Sequence, residues 1–213
     1  EPEFKFEPVK FDDKTLKDLT RFDKIPNHPA YKMFIDKRRL NDYHDRLYVT
    51  WHFYDWVNKL IPNKFPVIKE DHPRAIIPFL DIDNKMFAFQ GRAFGDEQPK
   101  YITIKLDEKK RRIYGLDKLD VNKTVYITEG PIDSLFLPNA IAVAGSDLEV
   151  QTLKQKATYV FDNEPRSIEI VNKMKKLIEK NYNICVWPKS LKYKDINDMV
   201  IAGMTPVEVQ SII

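Results

Sequence analysis

The fold of this chain is indicated by the stretch between residues 125 and 164, which reads VYITEGPID (125–133), AVAGS (142–146) and YVFDNE (159–164). Three short apolar runs each stop at an acid or a glycine, and segments with helical patterns separate them. Alternating strands and helices are typical of a parallel sheet. We therefore predict strands at 125–128, 141–144, 158–161 and 184–187, with helices at 132–137, 148–154 and 167–180.

Acidic residues follow the ends of these predicted strands. Glu129 follows the first strand, and Asp162 and Glu164 follow the third. Ligands of parallel sheets bind outside the carboxyl ends of the strands. Two carboxylates about 4 Å apart repel by roughly 4 kcal/mol at an effective dielectric constant near 20, so such a cluster favours a bound cation. Oxygen ligands of this kind suit Mg²⁺, which predicts metal-assisted phosphoryl chemistry.

The composition is that of an ordinary globular protein. Of the 213 residues, 43% are apolar and 31% are charged. No apolar run approaches the ~20 residues of a membrane helix, and the first residues are too charged for a signal peptide, so we expect a cytoplasmic protein without membrane contact. Cys185 is the sole cysteine and histidines number four, which argues against a disulfide within the chain and against a structural zinc site.

The net charge of +3 is too small to indicate a nucleic-acid partner, but the distribution of charge is informative. Residues 100–123 contain eight basic and four acidic residues, a local excess of +4. A basic face beside an acidic metal site suits a polyanion. A solvated loop is the simpler interpretation of the same charges.

The part of the chain before residue 124 has a different pattern. Helices are predicted at 30–39 and around 54–60, followed by antiparallel strands at 75–80, 86–90 and 101–104. We therefore predict two units, a basic mixed unit over residues 1–123 and an α/β unit over residues 124–213 that ends with a short helix at 206–212.

Each acidic motif also has a structural interpretation. Asp133 lies about one helical turn after Glu129, where it either joins the same site or is a first-turn acid favoured by the helix dipole. The Asp162/Glu164 pair either binds a ligand or caps a helix that begins near Pro165. Asp195 either reaches the same cleft or is another N-cap.

Together these features resemble the Toprim fold shared by bacterial-type primases, topoisomerases and small nucleases. That family has a Glu after the first strand, a glycine turn after the second and Asp-x-Asp after the third, and Glu129, Gly145 and Asp162/Glu164 occupy those places here. Upstream, RAIIPF (74–79), FQGRAF (89–94), PKYI (99–102) and IYGL (113–116) are similar to the basic subdomain that precedes Toprim in DnaG-type primases. The resemblance extends over about residues 70–200 and is nearer to phage primases than to cellular ones.

The resemblance implies an α/β protein in which an α+β N-terminal subdomain precedes a Toprim, Rossmann-like domain with a mainly parallel sheet. It implies the catalytic core of a DNA primase, which synthesises short RNA primers on single-stranded DNA from NTPs. The implied catalytic residues are Glu129, Asp133, Asp162 and Glu164, and the implied metal ligands are Glu129, Asp162, Glu164 and Asp195. The implied nucleotide and template contacts are Arg74, Arg92, Lys100, Lys109, Gly145 and Ser146.

The resemblance also implies cofactors and partners. We expect Mg²⁺, with Mn²⁺ as a substitute, a replicative hexameric helicase, and a zinc-binding module supplied in cis or in trans because this chain has no zinc motif. A phage-encoded protein of this kind would act in the host cytoplasm.

Two departures from the family pattern keep other functions open. Glu164 replaces the second Asp of Asp-x-Asp, and Asn197 stands where such primases usually have a late acid, with Asp198 beside it. The alternatives are a Toprim-type nuclease that hydrolyses phosphodiesters without NTPs and a non-catalytic module that binds DNA or a helicase.

Overall fold

The computed structural model of the chain describes residues 14–66, 70–144 and 150–213. Its strands form two five-stranded sheets. The antiparallel sheet contains β1 (Thr20–Arg21), β2 (Tyr48–Thr50), β3 (Arg74–Leu80), β4 (Met86–Ala93) and β5 (Tyr101–Lys105) in that order. The parallel sheet contains β6 (Ile113–Tyr114), β7 (Val125–Thr128), β8 (Ala140–Val143), β9 (Ala157–Val160) and β10 (Asn183–Ile184).

Helices lie between and beside the strands. Several are a single turn or two, and a π-helix at Lys32–Asp36 extends the second of them. The α-helices are α1 (Lys14–Lys17), α2 (Pro29–Tyr31), α3 (Phe53–Leu60), α4 (Pro131–Leu135), α5 (Ile168–Glu179), α6 (Ile196–Ile201) and α7 (Pro206–Ser211). None of the helices in the described ranges is both long and apolar enough to cross a membrane.

The strand order of the parallel sheet decides where its acids lie. The order is β10-β9-β7-β8-β6, and every pair is parallel except β6 with β8. From the central strand β7 the chain runs to β8 on one side, and it then crosses to β9 on the other side of β7. The direction of the connections therefore reverses between β7 and β9. Ligands bind at such a topological switch point, beyond the carboxyl ends of the strands. Glu129 follows β7, and Asp162 lies two residues beyond β9.

Strand β3 of the antiparallel sheet is buried on both faces because its residues after Arg74 form a continuous apolar run. Ile76 packs with Phe53, Trp56 and Phe89 beneath helix α3. Ala75, Ile77 and Phe79 belong to a second cluster, which also contains residues of the parallel-sheet side such as Ile132, Phe136 and Met199. The largest apolar cluster therefore lies between the two sheets and joins them.

Most of the predicted elements are confirmed, and the α/β class with one mainly parallel sheet is confirmed. Three predictions need correction. The strand predicted at 184–187 is only Asn183–Ile184, and beyond it the backbone N–H of Cys185 donates to Tyr159 while Trp187 contacts Phe161 through its side chain. The helix predicted at 148–154 is a single 3₁₀ turn at Gln151–Leu153 within the described residues. The helix predicted at 30–39 contains a π-helical turn.

The division at residues 123 and 124 stays a prediction. Ile113–Tyr114, which lie upstream of it, pair with Val143 and Ala142 at the edge of the parallel sheet.

Candidate active site

A cleft of about 750 Å³ lies where the two sheets face each other. Its volume falls within the range of ordinary ligand pockets. Residues of the antiparallel sheet and residues after the strands of the parallel sheet both line it. The charged residues of its lining are Glu129, Asp133, Asp162, Asp195 and Asp198, together with Arg38, Lys100, Arg112 and Lys194.

Glu129 and Asp133 reach the cleft because the chain turns sharply after β7. The hydroxyl of Thr128 donates a hydrogen bond to the carbonyl oxygen of Gly130 at 2.9 Å, and Pro131 begins helix α4 at once. Pro is favoured at this first helical position because its φ is already helical. Asp133 therefore lies in the first turn of α4 and also lines the cleft. The helix-dipole interpretation and the site interpretation of this residue are thus compatible.

The carboxyl groups of the cleft perturb each other. Burial raises the pKa of Asp133 to about 7, and the charges of Asp195 and Asp162 act in the same direction. Burial, with the charges of Glu129 and Asp195, also raises the pKa of Asp162 to about 6. Four acids from three separate segments of the chain therefore lie near one another, as the strand-end argument predicts.

Two lysines neutralise part of this charge. The Nζ atom of Lys173 lies 2.7 Å from Oε1 of Glu129 and 2.7 Å from Glu169. The Nζ atom of Lys194 lies 3.4 Å from Glu164 and 4.0 Å from Asp162. Glu164 does not line the cleft and faces this lysine instead. The same lysine contacts both Asp162 and Glu164, so the predicted role of Glu164 beside Asp162 stays a prediction.

The late acidic motif places a helix end at the cleft. Asp195 caps helix α6, since its Oδ1 accepts a hydrogen bond from the backbone N–H of Asp198 at 2.7 Å. The N-cap interpretation is therefore correct, and the same side chain also lines the cleft. Asn197 is buried, and its backbone N–H donates to Oδ1 of Asp133 at 3.0 Å.

The predicted nucleotide and template contacts differ in whether they line the cleft. Lys100 is exposed and lines the cleft, and Arg92 lies behind it, where its Nε donates to the hydroxyl of the cleft residue Tyr101 at 3.0 Å. Lys109 lies in an exposed turn after β5 and does not line the cleft. Gly145 and Ser146 lie outside the described residues.

Arg74 is the clearest correction. It is only 1% exposed, and its Nη1 donates to the carbonyl oxygens of Pro99 (3.0 Å), Lys100 (3.3 Å) and Gly91 (3.4 Å). Its guanidinium group stacks 5.3 Å from the centre of the Phe53 ring. Its Nε and Nη2 atoms are buried without a hydrogen-bond partner among the described residues, and the side chain does not line the cleft. Arg74 instead fixes the segment that presents Lys100.

Three cleft cations were missed as site residues by the sequence interpretation. Arg112 was counted only in the basic segment 100–123, and Lys194 only as the neighbour of Asp195. No sequence motif predicts Arg38 as a site residue. Its hydrogen-bond partner in the cleft, Asn197, lies 159 residues away in the sequence, so the contact arises from the tertiary structure.

The donor set of the cleft fits a hard cation. Glu129, Asp162 and Asp195 offer carboxylate oxygens, and burial together with the charges of Glu129 and Asp195 raises the pKa of Asp162. Within the ranges 14–66, 70–144 and 150–213, no three His, Cys, Asp or Glu side chains already form a closed metal cage. The expected Mg²⁺ site therefore stays a prediction, although Mg²⁺ can be bound by only one or two carboxylates together with water and substrate phosphates.

The architecture is shared with known primase cores. The RNA polymerase domain of the Mycobacterium tuberculosis primase DnaG superposes with a TM-score of 0.63 at 14% identity and covers 90% of this chain and 78% of that one. A DnaG primase catalytic domain bound to single-stranded DNA superposes with a TM-score of 0.61 at 16% identity, over 90% of this chain and 76% of that one. The fold is therefore that of DnaG primase catalytic cores.

Sequence comparison points to a particular relative. The chain is 37% identical over 206 residues to the DNA primase of Enterobacteria phage T4, and the match covers 92% of this chain and 58% of the phage protein. The chain thus spans little more than half of that relative's length. No protein-family profile matches the chain. The resemblance to phage DnaG-type primases is confirmed by sequence and by fold.

Proposed function

We propose that this chain is the catalytic core of a DNA primase, which synthesises short RNA primers on single-stranded DNA from NTPs. The observation that carries the proposal is the cleft itself, in which Arg38, Lys100 and Arg112 face the acids that follow β7 and β9. Cations that bind phosphates beside acids that bind a divalent metal are what nucleotidyl transfer requires. The relationship to the phage T4 DNA primase supports this reaction over the nuclease and binding-module alternatives.

The cations of the cleft bind the triphosphate. Among the described residues, Arg38 and Lys100 have no carboxylate within ion-pair distance, so their charges remain available to an anion. A guanidinium group can bind phosphate oxygens in a bidentate manner, which orients the nucleotide as well as attracting it. Exposed Tyr101, which is held by Arg92, offers a ring face to a base.

The acids promote the displacement. The 3′-hydroxyl of the primer attacks the α-phosphate, the bond to the β-phosphate breaks, and pyrophosphate leaves. Asp162 and Asp195 would hold Mg²⁺ or Mn²⁺, which when bound stabilises the negative charge of the reacting phosphates. Glu129, held by Lys173 at 2.7 Å, is either a further ligand of that metal or the base that accepts the proton of the hydroxyl.

The partners follow from the proposed reaction. The substrates are a single-stranded DNA template and NTPs, and one related catalytic domain has been solved with single-stranded DNA bound. A replicative helicase and a zinc-binding module remain predictions from the family resemblance. The site of action would be the cytoplasm in which the DNA is replicated.

Primer extension tests the proposal. The protein is given single-stranded DNA with an annealed RNA primer, labelled NTPs, and Mg²⁺ or Mn²⁺. We expect extension by the wild type, and a loss of at least about 100-fold in Glu129→Gln and in Asp162→Asn, because each removes a carboxylate from the cleft. The matched control is Glu179→Gln, which changes an exposed glutamate at the end of α5 and should extend the primer normally.

The same reactions distinguish the alternatives. Cleavage of the DNA without NTPs, abolished by the same two substitutions, would replace the proposed activity with hydrolysis. DNA binding without extension or cleavage, unchanged in Glu129→Gln, would indicate a non-catalytic module.

A further inference from the structure

Asn197 joins the two sides of the cleft. Its Oδ1 accepts a hydrogen bond from Nη1 of Arg38 at 2.7 Å, and its Nδ2 donates to the backbone carbonyl oxygen of the same arginine at 2.8 Å. Its backbone N–H, a first-turn donor of helix α6 that lacks a partner within the helix, donates to Asp133 at 3.0 Å. Asn197 is 2% exposed, and its side-chain oxygen, its side-chain nitrogen and its backbone N–H each make a hydrogen bond.

The positive charge of Arg38 survives this arrangement. Its partner is a neutral amide, and none of the described carboxylates lies within ion-pair distance of it. Burial and the nearby Arg92 both lower the pKa of Arg38, so its charge is costly in the free protein. An anion in the cleft would relieve both costs.

We propose that Asn197 is a positioning residue, whose neutral amide holds the Arg38 guanidinium at the cleft with its charge free for the triphosphate. The proposal rests on the proposed function, and it also explains the departure of this position from the family pattern. An acid here would bind Arg38 as well as an amide does, but it would neutralise the charge. It would also place a carboxylate against the Arg38 carbonyl oxygen, to which Asn197 now donates. Because its Oδ1 is bound to Arg38, Asn197 is not a metal ligand.

A double-mutant cycle with equilibrium binding tests this role. The probe is a fluorescent ATP analogue, titrated without template so that no polymerisation is needed. Arg38→Met keeps the apolar stem and the backbone carbonyl but removes the charge. We expect Asn197→Ala to weaken binding about tenfold in the wild-type background, the usual effect of losing a hydrogen bond to a charged group. In the Arg38→Met background the same substitution should change binding by less than about twofold.

Asn197→Asp separates positioning from folding. This variant keeps an acceptor for Arg38 and compensates its charge, so we expect weaker binding, again about tenfold, and no gain in Mg²⁺ affinity. If Asn197→Ala does not fold, the cycle is run with Asn197→Asp and Arg38→Met. In primer extension, both substitutions of Asn197 should raise KM for NTPs more than they lower kcat.

Asn58→Ala is the matched control. Asn58 in α3 also makes two side-chain hydrogen bonds to the backbone of one residue, Phe65, at 2.8 and 3.1 Å, and it does not line the cleft. Asn58→Ala should lower the free energy of unfolding in urea without changing the dissociation constant of the nucleotide.

The outcomes separate this inference from the proposed function. Equal weakening by Asn197→Ala in both backgrounds, unchanged binding in Arg38→Met, or tighter Mg²⁺ binding in Asn197→Asp would each overturn the positioning role. A wild type that shows the coupling but extends no primer would contradict the proposed function and leave the positioning role standing. A wild type that does not bind the nucleotide overturns both.

Discussion

Replacing Asp133 with asparagine should stabilise the protein in a pH-dependent way while impairing catalysis. The carboxyl group has a pKa of about 7 in the folded chain, against an ordinary value of 3.8. Burial is the main cause, and the charges of Asp195 and Asp162 add to it. An amide of the same shape can still accept the hydrogen bond from the backbone N–H of Asn197. The substitution therefore removes the costly charge and keeps the contact.

The sign follows from proton binding. Between pH 4 and pH 7 the folded carboxyl keeps a proton that the unfolded chain has lost, so the wild type loses stability as pH rises through this interval. A shift of about 3 units corresponds to roughly 4 kcal/mol at most. Because one side of Asp133 faces the solvent of the cleft, we expect about half of this, ~2 kcal/mol. Asp133→Asn should gain about 2 kcal/mol at pH 8 and almost nothing at pH 4.

Urea unfolding followed by tryptophan fluorescence, at pH 4, 6 and 8 without divalent cations, measures the gain. Asp96→Asn, which changes an exposed loop carboxylate, is the control and should show no trend with pH. A gain that is the same at every pH, or a loss of stability at pH 8, would refute the assignment of a destabilising buried charge to Asp133. Primer extension by Asp133→Asn should fall although the fold is more stable, a trade-off common at active sites.

Three further substitutions test the structural interpretation. Arg74→Met should lower the free energy of unfolding by about 3 kcal/mol, because three backbone carbonyls lose their donor, and Arg74→Lys should not restore it because lysine lacks the planar group. Normal stability together with weakened DNA binding would instead support the predicted contact between Arg74 and the template. Gly91→Ala should lower the free energy of unfolding by about 1–3 kcal/mol, since the added Cβ would overlap the Phe53 ring. An unchanged urea midpoint of unfolding would contradict the tight packing of α3 on β4. Thr205→Ala should lower the free energy of unfolding by about 1 kcal/mol, because the capping box with Glu208 is lost. A loss of nucleotide binding without a change in stability would contradict a purely structural role for this cap.

The sequence by itself determined the class of the fold and the acids of the site. Apolar runs that end in acids predict a parallel sheet with Glu129 and Asp162 at one edge, because side chains that follow neighbouring parallel strands meet there. Asp195 was reached by the same argument. These signals are local, since strand, turn and acid lie within a few residues of one another, and the resemblance to primases rests on such local motifs.

Only the tertiary structure decided which charges share the cleft. A basic residue in the sequence can be solvated, buried or part of a site, and composition does not distinguish these states. Arg74 is buried against Phe53, Glu164 pairs with Lys194, and Arg38 arrives from a distant helix.

The same holds for Asn197, which looked like the loss of a metal ligand until its contacts were seen. Its amide groups bind Arg38, a residue 159 positions away, and that contact exists only because the two sheets pack around one core. Long-range contacts of this kind depend on how whole elements pack together. No periodicity or motif in one segment records them. For that reason Glu129, Asp162 and Asp195 could be predicted from the sequence, whereas Lys100 was the sole cleft cation that was predicted and Arg38, Arg112 and Lys194 were missed.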